Sequence, residues 1–342
     1  MHPWRRKEQY MALIAGDVGG TKTILALYSP ETGPAHPIRR EVFPSSSYPG
    51  LGHIVEEFLG GRAHPVECAV FGVAGPVVGS RAAITNLPWT IDADELASRL
   101  GLGRVTLLND LEAVACGIPH LSVKDIHTLN PGEPTVNGPM SVIAPGTGLG
   151  EAYLTWDGSR YRAHASEGGH CDFAPRNRTQ ADLLAFLHER FGHVSYERVC
   201  SGSGIPGIYA FHKERLGLEE PAWLTQKLQS AGDPTIVIRE TAQDPARSCE
   251  ICTRTMQMFV EILGAETGNL ALKLLPSGGI FLAGGLPPRM VPQLADGTFL
   301  DAYSDKGRLG TLVMRMPVHI VLNTDIALLG AARYGMDMSG TR

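Results

Sequence analysis

The sequence predicts an α/β protein with mostly parallel sheets whose core is built twice. Apolar runs of strand length alternate with stretches of helical spacing along most of the chain, the pattern that gives a parallel sheet covered by helices. A strand, a glycine-rich turn and a second strand at 13–27 recur in kind at 140–155. At 342 residues the chain is too long for one small core, and its length suggests roughly two domains.

The first device reads Leu13-Ile14-Ala15-Gly16-Asp17-Val18-Gly19-Gly20-Thr21-Lys22-Thr23-Ile24-Leu25-Ala26-Leu27. Adjacent glycines permit positive φ and a close approach of backbone to ligand. A tight turn with exposed N–H groups cradles phosphate oxygens, but such hairpins also occur as plain turns, and this segment alone does not choose. A polar, proline-rich connection at 29–49 includes a third strand at 39–43, and 50–59 has helical spacing. The apolar run 68–74 suits a strand buried on both faces. A short helix at 92–100 takes Asp92 as its N-cap. The buried strand 105–108 runs into Asn109 and Asp110, then a helix at 111–118 stopped by Pro119. Parallel sheets bind ligands beyond the carboxyl ends of their strands, which puts Asn109 and Asp110 at a ligand edge. A carboxylate there can equally cap the next helix.

Composition turns to Pro, Gly and Asn at 130–139, and a second unit begins with strand 140–144, the turn Pro145-Gly146-Thr147-Gly148-Leu149-Gly150 and strand 151–155. Two such hairpins mark a duplicated α/β core with a nucleotide between its halves. The polar stretch Ala165-Ser166-Glu167-Gly168-Gly169-His170-Cys171-Asp172-Phe173 offers several ligand groups, and helical stretches follow at 180–191 and around 196–199. Ser201-Gly202-Ser203-Gly204-Ile205-Pro206-Gly207 has the GxGxxG form, but a helical stretch precedes it where a dinucleotide site requires a strand. Residues 221–275 are largely helical, with a long amphipathic segment at 247–274. A buried strand within 279–286 ends in Gly284-Gly285, and 318–322 is the last strand. Thr324 or Asp325 caps a terminal helix running through Arg333.

Composition narrows the function. The 43% apolar and 19% charged content is that of an ordinary soluble domain. Thirty Lys and Arg against 35 Asp and Glu give −5, which offers no basic stripe for nucleic acid or an anionic membrane. Six scattered cysteines read as free thiols of a reducing compartment. Cys249-Glu250-Ile251-Cys252 lacks the second pair a zinc site requires. The polar, basic residues 1–11 are followed by no export signal, and no apolar run reaches the ~20 residues of a membrane helix, so a cytoplasmic protein is expected. A Walker A motif is absent, because Lys22 follows Thr21 where a P-loop requires Gly, and protein-kinase and GxSxG signatures are absent too. What is left is glycine turns at strand ends, an Asn-Asp pair and a Glu-Gly-Gly-His loop. Phosphoryl transfer needs that kit: N–H groups for phosphates, a carboxylate for Mg²⁺, and another to take the proton of the acceptor hydroxyl. An ordinary aspartate, pKa ~4, is ionised at neutral pH and accepts such a proton late in a loose transition state.

Seven motifs, in this order, carry a family resemblance: Gly16-Asp17-Val18-Gly19-Gly20-Thr21, Thr85-Asn86-Leu87-Pro88-Trp89, Asn109-Asp110, Pro145-Gly146-Thr147-Gly148-Leu149-Gly150, Glu167-Gly168-Gly169-His170, Tyr196-Glu197-Arg198-Val199-Cys200-Ser201-Gly202 and Ala283-Gly284-Gly285. Each alone is weak and together they are highly specific. From about residue 13 to residue 335 the chain resembles the bacterial glucokinases, hexokinase-like sugar kinases. The resemblance implies a two-domain actin-like ATPase (ribonuclease H-like, duplicated) fold with the active site in the interdomain cleft. On that reading 12–120 with 323–342 form a small α/β domain, 121–322 a large one, and 1–11 a short tail. It further implies ATP-dependent phosphorylation of D-glucose at the 6-hydroxyl by a cytoplasmic homodimer, with Asp110 as the base. Asn109, Glu167, His170 and Glu197 would hold the other sugar hydroxyls. Gly16, Asp17, Val18, Gly19, Gly20 and Thr21 with Gly146, Thr147 and Gly148 would hold phosphates, Asp17 would lie near Mg²⁺, and Gly284 and Gly285 would admit the adenosine.

Two departures accompany the likeness. Cys171-Asp172-Phe173-Ala174-Pro175 follows His170 where many relatives carry a cysteine-rich zinc loop, so no structural zinc is expected. Lys22 stands where many members have Asn. Taken singly, His170 reads as a satisfied polar residue and Glu197 as a helix-surface charge; the joint pattern lifts both to ligand groups. Another hexose as acceptor, such as mannose or an N-acetylated amino sugar, and polyphosphate as donor stay open. A sugar-sensing regulator on the same fold is disfavoured by the dozen or so residues before the first strand and by the negative charge.

Overall fold

The computed structural model describes residues 12–29, 31–60, 66–247 and 249–339. They fall into two units, one of residues up to 121 with 161–165 and 323 onward, the other of 122–160 with 166–322. The expectation for the tail at 1–11 lies outside the described residues.

In the first unit five strands lie in the order Arg39–Pro44, Lys22–Tyr28, Ala12–Val18, Val66–Val73, Arg104–Asn109. The first three pair antiparallel and the last two add in parallel. Side chains alternate between two apolar clusters along each strand: Ile14, Leu25, Phe71 and Leu107 enter one, Leu13, Ile24, Val70 and Leu108 the other. Period-two alternation with both faces apolar explains why these runs read as continuously hydrophobic. One face is covered by Leu51–Leu59 and Ala93–Leu100, where Asp92 caps through bonds from the Asp94 and Glu95 N–H groups. The other carries Ile326–Ser339, whose Leu328, Ala331 and Ala332 are buried in the second cluster.

That terminal helix fixes the helix Asp110–Gly117. At Gly330 an added Cβ would lie 1.8 Å from the Ala113 carbonyl oxygen and 2.7 Å from the Gly117 nitrogen, so the two backbones meet where no side chain fits. The helix also runs past the expected end at Arg333 to Ser339, because Tyr334 and Met336 still pack on the cluster.

The second unit repeats the plan. Leu149–Trp156 and Met140–Pro145 form an antiparallel hairpin, Gly279–Leu282 and Val318–Val321 add in parallel beyond its first strand, and Ile126–Asn130 closes the run antiparallel. Its core gathers around the 25-residue helix Glu250–Leu274, which contributes Met256, Phe259, Ile262 and Leu263. The helix ends in a left-handed Leu275 followed by Pro276, a residue that cannot continue it.

Several expected boundaries move. The long helix begins at Glu250, not 247, with Cys249 as its N-cap and both CxxC cysteines buried. The region 221–275 is three helices, Ala222–Ser230, Pro234–Gln243 and Glu250–Leu274. Asn130 ends a strand that the loop reading of 130–139 missed, its amide bonded to the Met314 and Met316 carbonyls. The polar stretch at 165–173 starts inside the strand Tyr161–Ser166 and then tightens into a 3₁₀ turn at Gly168–His170. A three-stranded sheet of Val77–Val78, Arg81–Ala83 and Thr90–Asp92 has strands too short to show a period.

Candidate active site

In the first unit, sheet register assembles the chemistry. Val18 pairs with Val73, and Val73 with Asn109, so two parallel strands end level and bring Asp17 near Asp110. Burial pushes the Asp17 carboxyl up to about 6; Asp110 and Asp325 push the same way, while Lys22 opposes them. Asp325 is itself paired with Arg40 at 2.9 Å. Asn109 caps the following helix, its Oδ1 accepting from the Leu111 N–H at 3.0 Å and its Nδ2 donating to the Gly75 carbonyl at 3.2 Å. Asp110 is half-buried, and its Oδ1 also accepts from the Leu111 N–H, at 2.9 Å. The capping role is therefore present.

The turn joining Ala12–Val18 to Lys22–Tyr28 is narrower than expected. Gly16 lies inside the strand, paired with Leu25 and Phe71 and buried between their side chains, and the Val18 side chain points into the core. Both therefore pack in the strand, and the turn itself begins only after Val18. Gly19 closes it, its N–H donating to the Lys22 carbonyl at 3.0 Å, which leaves Gly20 and Thr21 at the tip. Ser45 straps the turn: its Oγ donates to the Gly19 carbonyl at 2.7 Å, it lies 2.9 Å from Thr23 Oγ1, and its N–H donates to the Thr21 carbonyl at 3.1 Å. Thr85, in the second motif, packs its carbonyl against Gly20.

In the second unit the corresponding turn is tight, the Gly146 N–H donating to the Gly148 carbonyl at 2.9 Å. It is braced by the stretch of GxGxxG form. The Gly202 N–H donates to the Gly146 carbonyl at 2.8 Å and the Ser203 N–H to the Thr147 carbonyl at 3.1 Å. A 3₁₀ turn, Tyr196–Arg198, stands before it in place of a strand. Glu197 holds the same turn, its Oε2 accepting from the Leu149 N–H at 2.9 Å. It is no helix-surface charge. Gly284 and Gly285 are exposed beside it, the Leu286 N–H donating to the Pro145 carbonyl at 3.2 Å. The loop bearing Glu167 and His170 is laced in by the Tyr196 N–H on the Cys171 carbonyl at 2.9 Å and by Phe173 edge-on to Tyr196. Glu167 and His170 side chains are 85% and 59% exposed, open to a ligand. The structure thus groups Asp17, Asn109 and Asp110 in one unit, and Gly146, Thr147, Gly148, Glu167, His170, Glu197, Gly284 and Gly285 in the other.

Three participants escape sequence reasoning. Ser45 sits in a serine run far from the hairpin it straps. Asp325 reads as a helix cap but adds a carboxylate near Asp17. Glu151 is buried in a strand, at 2% exposure; a charged residue at an inward position of an apolar strand was the available signal for it.

Comparison with known proteins identifies the family. The family model Glucokinase matches residues 14–338. A glucokinase of Trichormus variabilis is 41% identical over 336 residues, covering 94% of this chain and 97% of its own. A crystal structure of a glucokinase from an Antarctic psychrotroph superposes with a TM-score of 0.78 at 28% identity, covering 95% and 98% of the two chains. A Streptomyces griseus ROK-family glucokinase, solved with glucose and AMPPNP, gives 0.62 at 20% identity over 94% and 98%, a likeness of fold. The duplicated α/β plan is the actin-like ATPase fold. This chain belongs to the glucokinase family.

Proposed function

We propose that this chain transfers the γ-phosphoryl group of ATP to the 6-hydroxyl of D-glucose, giving glucose 6-phosphate and ADP. Family membership supports the reaction, and the observation that carries the assignment of roles is the nearness of Asp17 to Asp110 at level strand ends. Asp110 is the base. Its carboxylate takes the proton of the 6-hydroxyl as that oxygen bonds to phosphorus. Asn109, Glu167, His170 and Glu197 bind the remaining hydroxyls, and Glu197 keeps an oxygen for this after accepting from Leu149. Polar groups that the sugar covers, left unpaired by an analogue lacking a hydroxyl, would penalise it. Gly20 and Thr21 in one turn, and Gly146, Thr147 and Gly148 in the other, present backbone to the phosphates, and the exposed Gly284-Gly285 admits the adenosine.

Mg²⁺ fits this donor set. A carboxylate oxygen suits a hard cation that keeps waters and phosphate oxygens as its other ligands; among the described residues no group of three or more His, Cys, Asp or Glu side chains could hold a metal by itself, and a carboxyl whose proton is held up to about 6 by burial and by a neighbouring carboxylate is short of positive charge. Asp17 would hold the ion, which when bound offsets phosphate charge in the transition state. The finer expectations of a homodimer and a cytoplasmic location belong to the same reading; among the described residues no helix is long and apolar enough to cross a membrane. Measuring ADP release over a panel of hexoses tests the function. Glucose should give the highest kcat/KM, and a higher value for mannose or an N-acetylated amino sugar would reassign the acceptor.

A further inference from the structure

Strand Leu149–Trp156 does more than close the hairpin. Its first three residues hold both the phosphate turn and the groups assigned to the sugar. The Leu149 N–H donates to Glu197. A Cβ built on Gly169 would lie 2.1 Å from the Leu149 carbonyl oxygen, and one on Gly168 would lie 2.0 Å from Glu151 Oε2. The Gly168–His170 turn therefore rests its backbone directly on this strand, and on one carboxyl group in particular.

Glu151 is 2% exposed, and its Oε1 is buried without a hydrogen-bond partner among the described residues. The groups facing it are known on each side. From the helix Glu250–Leu274 come Glu266, fully buried, and Lys273, whose Nζ lies 3.5 Å from Glu266 Oε1. Cys200 is fully buried nearby, and its thiol is pushed up by burial, then by Glu266 and Glu151. Tyr196 bonds Glu266. One lysine thus faces two buried carboxyl groups and is engaged by Glu266. An unpaired buried charge is costly, and a neutral carboxyl group at the same place costs much less.

We propose that Glu151 is a positioning residue for the sugar-binding turn, its neutral carboxyl group packing on Gly168 so that Glu167 and His170 are set for the hexose. The inference rests on the kinase reading above and adds a residue and a protonation state to it. Burial, and then Glu266, hold the carboxyl up to about 7 against the pull of Lys273, so the neutral form is lost within the working range of pH. Ionisation places a second negative charge beside Glu266 under the turn, and glucose binding weakens while the base and the ATP side are untouched.

The test compares the wild-type chain with Glu151→Gln and Glu151→Ala, measuring KM for glucose, KM for ATP and kcat from pH 6 to pH 8. The wild-type KM for glucose should rise severalfold across this range. Glu151→Gln, neutral at every pH and close in shape, should keep the low-pH value throughout. Glu151→Ala should raise KM for glucose about tenfold at both ends, the order of loss that small misplacements of binding groups cause, with kcat and KM for ATP little changed. A Gln variant that follows the wild-type pH profile overturns the proposal, as does an Ala variant with wild-type KM. If the Ala variant does not fold, the Gln profile decides alone. A wild-type protein that releases no ADP with glucose would instead overturn the kinase reading on which the proposal stands.

Discussion

Replacing Asp17 by Asn should make the metal-free protein more stable while abolishing its activity. The Asp17 carboxyl rises from 3.8 to about 6 in the folded chain. Folding therefore takes up a proton between those values, and the stability this group contributes in its neutral form is lost as pH rises through that window. At ~1.4 kcal/mol per pKa unit the ionised group costs the fold about 3 kcal/mol above pH 6. Asparagine keeps the shape and carries no charge, so that cost disappears. Chemical denaturation in the presence of a chelator should show Asp17→Asn more stable than wild type by about 3 kcal/mol at pH 8 and by about 1 kcal/mol at pH 4.5. Adding Mg²⁺ and ATP should then stabilise the wild type alone, by about 2.7 kcal/mol at a hundredfold excess over Kd. A variant no more stable than wild type at pH 8, or a gain that ignores pH, would refute the charge argument.

Other consequences follow from the packing. Ser45→Ala leaves the Gly19 carbonyl and the Thr23 hydroxyl without their strap; it should cost about 1–3 kcal/mol in denaturant melts and raise KM for ATP more than KM for glucose. Gly330→Val forces a side chain into the contact with Ala113 and Gly117; overpacking of this kind costs about 1–3 kcal/mol or more, and kcat should fall with stability because the displaced helix carries Asp110. Lys22→Asn removes a cation opposing the effect of burial on Asp17; the metal-free variant should lose stability at pH 8 but not at pH 4.5, and an unchanged KM for ATP would mark Lys22 as a bystander to phosphate binding.

The hairpins at 13–27 and 140–155 were legible because a glycine turn between two apolar runs is a local signal, carried by neighbouring residues. Asn109 and Asp110 were legible for the same reason, standing where a buried strand meets a helix. That Gly16 lies inside the strand was not legible, because a glycine buried between Leu25 and Phe71 looks, in one dimension, like the first glycine of a turn. Ser45 and Asp325 act across separations of tens to hundreds of residues, and no periodicity marks them. The helix Ile205–Glu214 was passed over because it opens with Ile-Pro-Gly, although proline suits the first turn of a helix.

The assignment of the base is the centre of the account, and Asp110→Ala tests it most directly. Glucose binding by calorimetry and turnover by ADP release should be measured on the same preparation. The variant should fold, bind glucose and turn over orders of magnitude more slowly than wild type at saturating substrates. Turnover close to the wild-type rate would contradict the assignment.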